Sequence, residues 1–269
     1  MSKTRLVHSF YTGHCTEKQL EALVWTYALS ALYAHRSGFE IVLHTDELGA
    51  KLLRHAPYDK IICDIGGPPA DDRLFAWPKF RAMSSEPAGA IHIDGDVFLK
   101  KETLQDLLTF DDCDIIVQSI EQQGEPPYYA PWTNEMYAFL DVEYPQWMNR
   151  QLMKMYNCGV VGFKDKNTMH EYHSHYWHLI EQFCMKGRTV ACVPDLIAEQ
   201  QLLYEFARHK GLKVKTLLSP SVTKEEANTI GYQHLLGGSK YKNLDKTKDV
   251  MKSLDIDLFI KLKEKEDRV

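Results

Sequence analysis

The sequence predicts an α/β fold built on a mostly parallel sheet flanked by helices, and three observations predict it. Strand-like apolar runs alternate with helical periodicity from Leu6 to Asp64 in the order β-α-β-α-β, the pattern of a parallel, Rossmann-like sheet. A buried-type run, Ile91-His92-Ile93, meets Asp94-Gly95-Asp96 before a second apolar run, Val97-Phe98-Leu99. The chain has 269 residues, 44% of them hydrophobic, which suits one large domain, or a domain with a subdomain, around a substantial core.

Each element follows from local chemistry. Leu6 to Tyr11 reads as the first strand, closed by the Thr12-Gly13 turn. Thr16 is placed to cap a helix over Glu17 to Ser37, whose apolar positions Leu20, Leu23, Val24, Tyr27, Ala28, Ala31 and Leu32 recur at helical spacing, and Gly38 stops it. Glu40 to Thr45 is a second strand, followed by Asp46 and a short helix to about His55, then a third strand from Lys60 to Asp64. Gly66-Gly67-Pro68-Pro69 makes a loop, and a helix from about Leu74 to Ser85 leads to the Asp-Gly-Asp strand. Asp114 to Ser119 and Tyr156 to Phe163 are strands, the second with a small, polar opening.

The segment from Glu121 to Tyr144 is rich in Pro, Tyr and Trp, and two readings fit it: an acceptor-binding loop or lid, and a packed irregular insert. The helix from Lys166 to about Met185 carries His170, His173, His175 and His178 without an H-E-x-x-H pattern, which reads as a solvated face. Val190 to Val193 is a short strand, Asp195 to Ala207 a helix, and Leu212 to Leu217 another strand. Asp245 to Lys265 reads as one amphipathic terminal helix with a single apolar stripe. The expected division is a main domain over 1–242 and a terminal helix over 243–269, docked on that domain or on a partner.

Composition excludes several classes. Net charge is −5, from 32 basic and 37 acidic residues, and the isoelectric point is about 6.2, which argues against a nucleic-acid partner. No apolar stretch has the length of a membrane span or of a signal-peptide core with its cleavage site. The six cysteines are scattered without a C-x-x-C pair, as free thiols in a reducing cytoplasm would be, so a cytoplasmic location is expected. No G-x-G-x-x-G follows the first strand, so a dinucleotide fingerprint is absent.

Asp94 and Asp96 carry the chemistry. Aspartate is disfavoured inside strands, so two in such a stretch mark a strand end, where open α/β sheets bind ligands. Residues i and i+2 of extended chain face one side, so both carboxylates can reach one hard divalent cation. The same tripeptide is also ordinary turn chemistry; its entry from a buried strand favours the cation.

With these residues in view, the chain resembles the GT-A fold nucleotide-sugar glycosyltransferases. Asp94-Gly95-Asp96 is similar to their D-x-D motif. His234-x-x-Gly237-x-x-Lys240 is similar to the C-terminal H-x-x-G-x-x-K of the retaining branch that includes glycogenin and the bacterial lipopolysaccharide galactosyltransferases. Lys79 on the helix before Asp94 is similar to that branch's lysine, and Asn157-Cys158-Gly159 to its N-S/T-G strand opening. The resemblance covers about Leu6 to Lys240.

It implies a GT-A fold and a cytoplasmic, bacterial-type enzyme moving a hexosyl unit from a nucleoside diphosphate sugar, a UDP-sugar favoured, to a glycan, lipid-linked or protein acceptor with retention. Asp94, Asp96 and His234 would hold Mn²⁺ (or Mg²⁺), and Lys240 and Gly237 would meet the phosphates. Phe10, Tyr11 and Thr12 would hold the nucleoside, with Tyr11 read either as a base-stacking ring or as a core-edge tyrosine. Lys79, Asn157 and Gln200 would line the donor site, and Glu199 would stand with Asp94 and Asp96 among the catalytic groups.

Two departures follow. Tyr241-Lys242 replaces the usual Pro-Trp after the last motif, and Glu199-Gln200-Gln201 stands where the family has D-Q-D. They keep open a non-catalytic scaffold that binds a sugar nucleotide or a partner. A haloacid-dehalogenase-type phosphatase would want Gly-Thr or Gly-Val after its second aspartate, and Val97-Phe98 stands there instead.

Overall fold

The computed structural model describes residues 3–13, 15–67, 75–122, 145–149, 154–185 and 196–266. In chain order these form β1 (Arg5–Phe10), α1 (Glu17–Arg36), β2 (Glu40–Thr45), α2 (Glu47–Leu53), β3 (Lys60–Cys63), α3 (Trp77–Ser85), β4 (Ile91–Ile93), β5 (Val97–Leu99), α4 (Leu104–Leu107) and β6 (Ile115–Gln122). β7 (Lys154–Phe163), α5 (Lys166–Met185), a π-helical turn (Leu196–Gln201), α6 (Leu202–Lys210) and β8 (Val214–Thr216) follow. α7 (Lys224–Ile230), β9 (Tyr232–His234), α8 (Ser239–Lys242), α9 (Leu244–Leu254) and α10 (Ile256–Glu266) complete the described chain.

Seven strands make one sheet in the order β3-β2-β1-β4-β7-β6-β8. β7 is antiparallel to both neighbours, β4 and β6; the other pairings are parallel. This is the mixed, mostly parallel sheet flanked by helices that the sequence predicts. The strand order turns back at β1, where β2 and β4 lie on opposite sides, and such a switch opens a crevice at the strands' carboxyl ends. Asp94 leaves β4 at that crevice.

One face of the sheet packs on α3, α5, the π-helical turn and α6, through Trp77, Phe80, Tyr172, Tyr176 and Phe206. On the other face, Trp25, Leu29 and Leu32 of α1 share a core with Phe10, Met251, Leu258 and Leu262. The C-terminal helices therefore belong to the same core as β1 and α1.

Local chemistry sets the termini. Thr16 and Gln19 form a reciprocal capping box at the start of α1. Gly211 ends α6 in the left-handed conformation, at φ +65°.

Several expectations are corrected. The terminal helix is two helices, because Asp255 leaves helical geometry and caps α10 by accepting from the Leu258 amide at 2.9 Å. The helix expected over Asp195 to Ala207 opens as a π-helical turn and runs on to Lys210. His173 is not on a solvated face: it is 3% exposed, its Nδ1 is 3.0 Å from Ser84 Oγ, and its ring packs edge-on against Phe80. The strand expected over Val190 to Val193, and the segment from 123 to 144, lie outside the described residues.

Candidate metal and donor site

A second sheet builds the site. β5 pairs antiparallel with β9, matching Val97 to His234, and the Leu235 amide donates to Asp96 O at 3.0 Å. Between β4 and β5 the Asp-Gly-Asp turn is tied at both ends: the Asp94 amide donates to Gly159 O at 2.8 Å and the Val97 amide to Asp94 O at 2.9 Å. Ligand atoms of Asp94, Asp96 and His234 consequently lie within 4.8 Å of one another. Two carboxylate oxygens and an imidazole nitrogen make a donor set that can hold a divalent metal ion.

Two lysines close the electrostatics. Lys240 Nζ donates to Asp96 Oδ2 at 2.8 Å. Lys79 is 6% exposed, and its Nζ donates to Cys158 O at 2.8 Å and Glu199 Oε1 at 2.5 Å, with Asp94 Oδ1 at 3.1 Å. Burial alone would strip the Lys79 charge, but Asp94 and Glu199 raise its pKa and hold it as ammonium. Burial likewise opposes the Asp96 charge; His234 and Lys240 outweigh it and keep the carboxyl well below its usual range. Burial disfavours the Lys240 charge too, and Asp96 more than offsets it.

These groups face a cavity of about 520 Å³, the size of ordinary small-molecule sites. Among the residues expected from the sequence, Phe10, Tyr11, Lys79, Asp94, Asp96, Asn157, Glu199, Gln200, His234, Gly237 and Lys240 all line it. Thr12 does not: its amide and hydroxyl both donate to Asp46 Oδ2, at 3.0 and 2.6 Å. Tyr11 meets Trp77 edge-on at 5.3 Å. Asn157 donates to Glu121 Oε1 at 2.7 Å and accepts the Gly159 amide at 3.0 Å. Gly237 sits at φ +57°, a turn conformation that suits glycine. Gln200 Oε1 is buried and has no hydrogen-bond partner among the described residues.

Sequence reasoning missed Tyr27 and Gln118. Tyr27 reaches the cavity from α1, donating to Ser9 O at 2.7 Å, and its ring fills the space a Cβ on Gly95 would need, 2.2 Å away. Its periodic place on α1 reads only as core. Gln118 is a polar side chain directly after the apolar run Ile115-Ile116-Val117 on the same strand, and that change of character was the available signal.

Fold and site together define an α/β protein with a candidate divalent-cation donor set, a buried lysine and a half-buried lysine at a sheet crevice. The chain belongs to a family of unknown function, DUF6734, whose model matches residues 4–263. No curated protein is significantly similar to it. Among solved structures, HddC from Yersinia pseudotuberculosis is 12% identical with a TM-score of 0.46, the match covering 90% of this chain and 99% of that one. Mouse xyloside xylosyltransferase 1, in its apo form, is 13% identical with a TM-score of 0.43, covering 81% of this chain and 85% of that one. The galactosyltransferase LgtC, solved with donor and acceptor sugar analogues, is 10% identical with a TM-score of 0.43, covering 93% of this chain and 96% of that one.

Proposed function

We propose that this protein is a metal-dependent GT-A glycosyltransferase that moves a hexosyl unit from a nucleoside diphosphate sugar, a UDP-sugar favoured, to a glycan, lipid-linked or protein acceptor with retention. The observation that carries the reading is the Asp94, Asp96 and His234 donor set beside Lys240 and Lys79 in one cavity. Three carboxylates (Asp94, Asp96, Glu199) face only two ammonium groups, so the cavity keeps one formal negative charge to be met by a divalent ion. Asp94, Asp96 and His234 would hold Mn²⁺ or Mg²⁺, which when bound would supply Lewis-acid stabilisation of the diphosphate.

The side chains would do the rest. Lys240, at the edge of the cavity, would exchange part of its contact with Asp96 for a phosphate oxygen. Lys79 and Glu199 would hold Asp94 and shape the sugar subsite, and Gln200 would offer its bare carbonyl oxygen to a donor hydroxyl. The anomeric C–O bond to the diphosphate breaks as the acceptor oxygen bonds to the same carbon from the same face. The acceptor's proton passes to the departing phosphate. The placement of Glu199 against Lys79 leaves room for a second reading, a scaffold that binds the sugar nucleotide without turnover.

Thermal unfolding with UDP, GDP and other nucleoside diphosphates, each with and without Mn²⁺, tests the proposal. A ligand that binds only the native state at about 100 times its Kd adds about 2.7 kcal/mol. A rise in melting temperature that needs both a nucleotide and Mn²⁺ is expected. No rise with any nucleotide would overturn the reading, and binding without transfer from any donor sugar would select the scaffold.

A further inference from the structure

We infer that Gln118 is a positioning residue: it fixes the imidazole of His234 so that Nε2 presents its lone pair between the two aspartates. The inference deepens the metal-dependent reading above and rests on it.

Gln118 lies on β6, 5% exposed, at an irregularity in the ladder. Val117 pairs with Val161 and Ser119 with Asn157, so residues 158–160 of β7 oppose Gln118 alone. That bulge turns its side chain towards β9. There Oε1 accepts two hydrogen bonds, from Tyr232 Oη at 2.6 Å and from His234 Nδ1 at 2.8 Å. A carbonyl oxygen has two lone pairs, so both are used.

The consequence lies on the other side of the ring. A neutral imidazole that donates at Nδ1 is bare at Nε2. His234 Nε2 is 3.2 Å from Asp96 Oδ1, so a cation held between them would meet both the imidazole lone pair and the carboxylate oxygen. Metal-binding histidines regularly donate their second ring N–H to a carbonyl or carboxylate, which sets tautomer and orientation together. A neutral amide does this without adding a further negative charge to a site that already holds three carboxylates.

Gly159 completes the arrangement. A Cβ there would stand 2.4 Å from Gln118 Oε1 and 2.6 Å from His234 Cε1. The glycine that follows Asn157-Cys158 is thereby the space in which amide and imidazole meet.

The test uses the full-length protein and Mn²⁺ alone, counted by the electron paramagnetic resonance signal of free aqueous Mn²⁺. Gln118→Met should weaken Mn²⁺ binding about 10- to 100-fold. Gln118→Glu, which keeps the acceptor, should hold it near the parent value, and Tyr232→Phe, which removes the other donor, should leave it there too. Because Gln118 is buried, melting in chelator first identifies folded variants. Nitrogen-15 shifts of the His234 ring in metal-free parent protein, above the imidazole titration range, give a readout that needs no variant. They should show the proton on Nδ1. A proton on Nε2, or a folded Gln118→Met that binds Mn²⁺ as tightly as the parent, overturns this inference and leaves the metal site standing. A parent that binds no Mn²⁺ overturns both.

Discussion

At the scale of single residues, the site is a set of mutually dependent charges. Asp96 receives Lys240 and faces His234 while 5% exposed, so its removal deprives the site of one oxygen donor and releases Lys240. The Lys240 side chain is 22% exposed and can turn to water, which limits the structural cost. If the proposed sugar transfer is the activity, Asp96→Ala should abolish it while circular dichroism stays that of the parent, and parent-level turnover would end the metal role. Gly95 is constrained differently. Its Cβ would sit 2.2 Å from the Tyr27 ring, so Gly95→Ala overpacks the turn and should cost about 1–3 kcal/mol in urea unfolding. Gly66→Ala, where no atom of the described residues lies within 4 Å and φ is not in the left-handed region, should be neutral or slightly stabilising. An equal loss at both positions would refute the steric account. The two aspartates were legible because charged residues in an apolar run demand a reason. The need for glycine between them was not, because Tyr27 comes from α1, far away in the chain.

Elements were legible where one period ran without interruption and obscure where two structures share a pattern. The alternation through β1, α1, β2, α2 and β3 announces parallel strands, but nothing in Tyr156 to Phe163 marks β7 as antiparallel, since buried strands of either direction read alike. The C-terminal helices make the same point. Val250, Leu254, Leu258 and Leu262 recur every four residues straight across the break, because α9 and α10 present their apolar sides to the same core. Periodicity therefore reports one helix where the cap at Asp255 makes two. The cap is testable. Asp255→Ala removes the acceptor for the Leu258 amide and should cost about 0.5–2 kcal/mol. Urea unfolding would measure it, and Asp255→Asn, which keeps a capping oxygen, should recover most of it.

For the whole molecule, both faces of the sheet hold buried neutral histidines, and these set how stability responds to acid. His8 is fully buried under α1, its Nδ1 2.8 Å from Tyr58 Oη and its Nε2 3.1 Å from Ser30 Oγ. Burial brings its pKa down to about 3, although the Asp96 charge works in the opposite direction. His173, between α3 and α5, is also brought down to about 3, by burial first and by His170 second. Both rings are thus neutral in the folded protein at pH values where the unfolded chain, with an imidazole pKa of about 6.5, binds protons. Stability then rises with pH wherever the unfolded state holds more protons, here between about pH 3 and about pH 6.5. Each histidine contributes about 1.4 kcal/mol per pH unit within that window. Glu86 adds to the loss at its acid end: burial raises its carboxyl, but hydrogen bonds from His44 and Arg5 lower it further. Its contribution is present above the unfolded carboxylate range and disappears as pH falls through its depressed folded value. Urea unfolding at stepped pH should show stability falling as pH drops below about 6.5, with His8, His92 and His173, all lowered by burial, each adding up to about 1.4 kcal/mol per unit. His173→Phe should reduce that slope by one histidine's share, up to about 1.4 kcal/mol per unit. An unchanged slope in that variant would show that the acid response comes from elsewhere in the molecule.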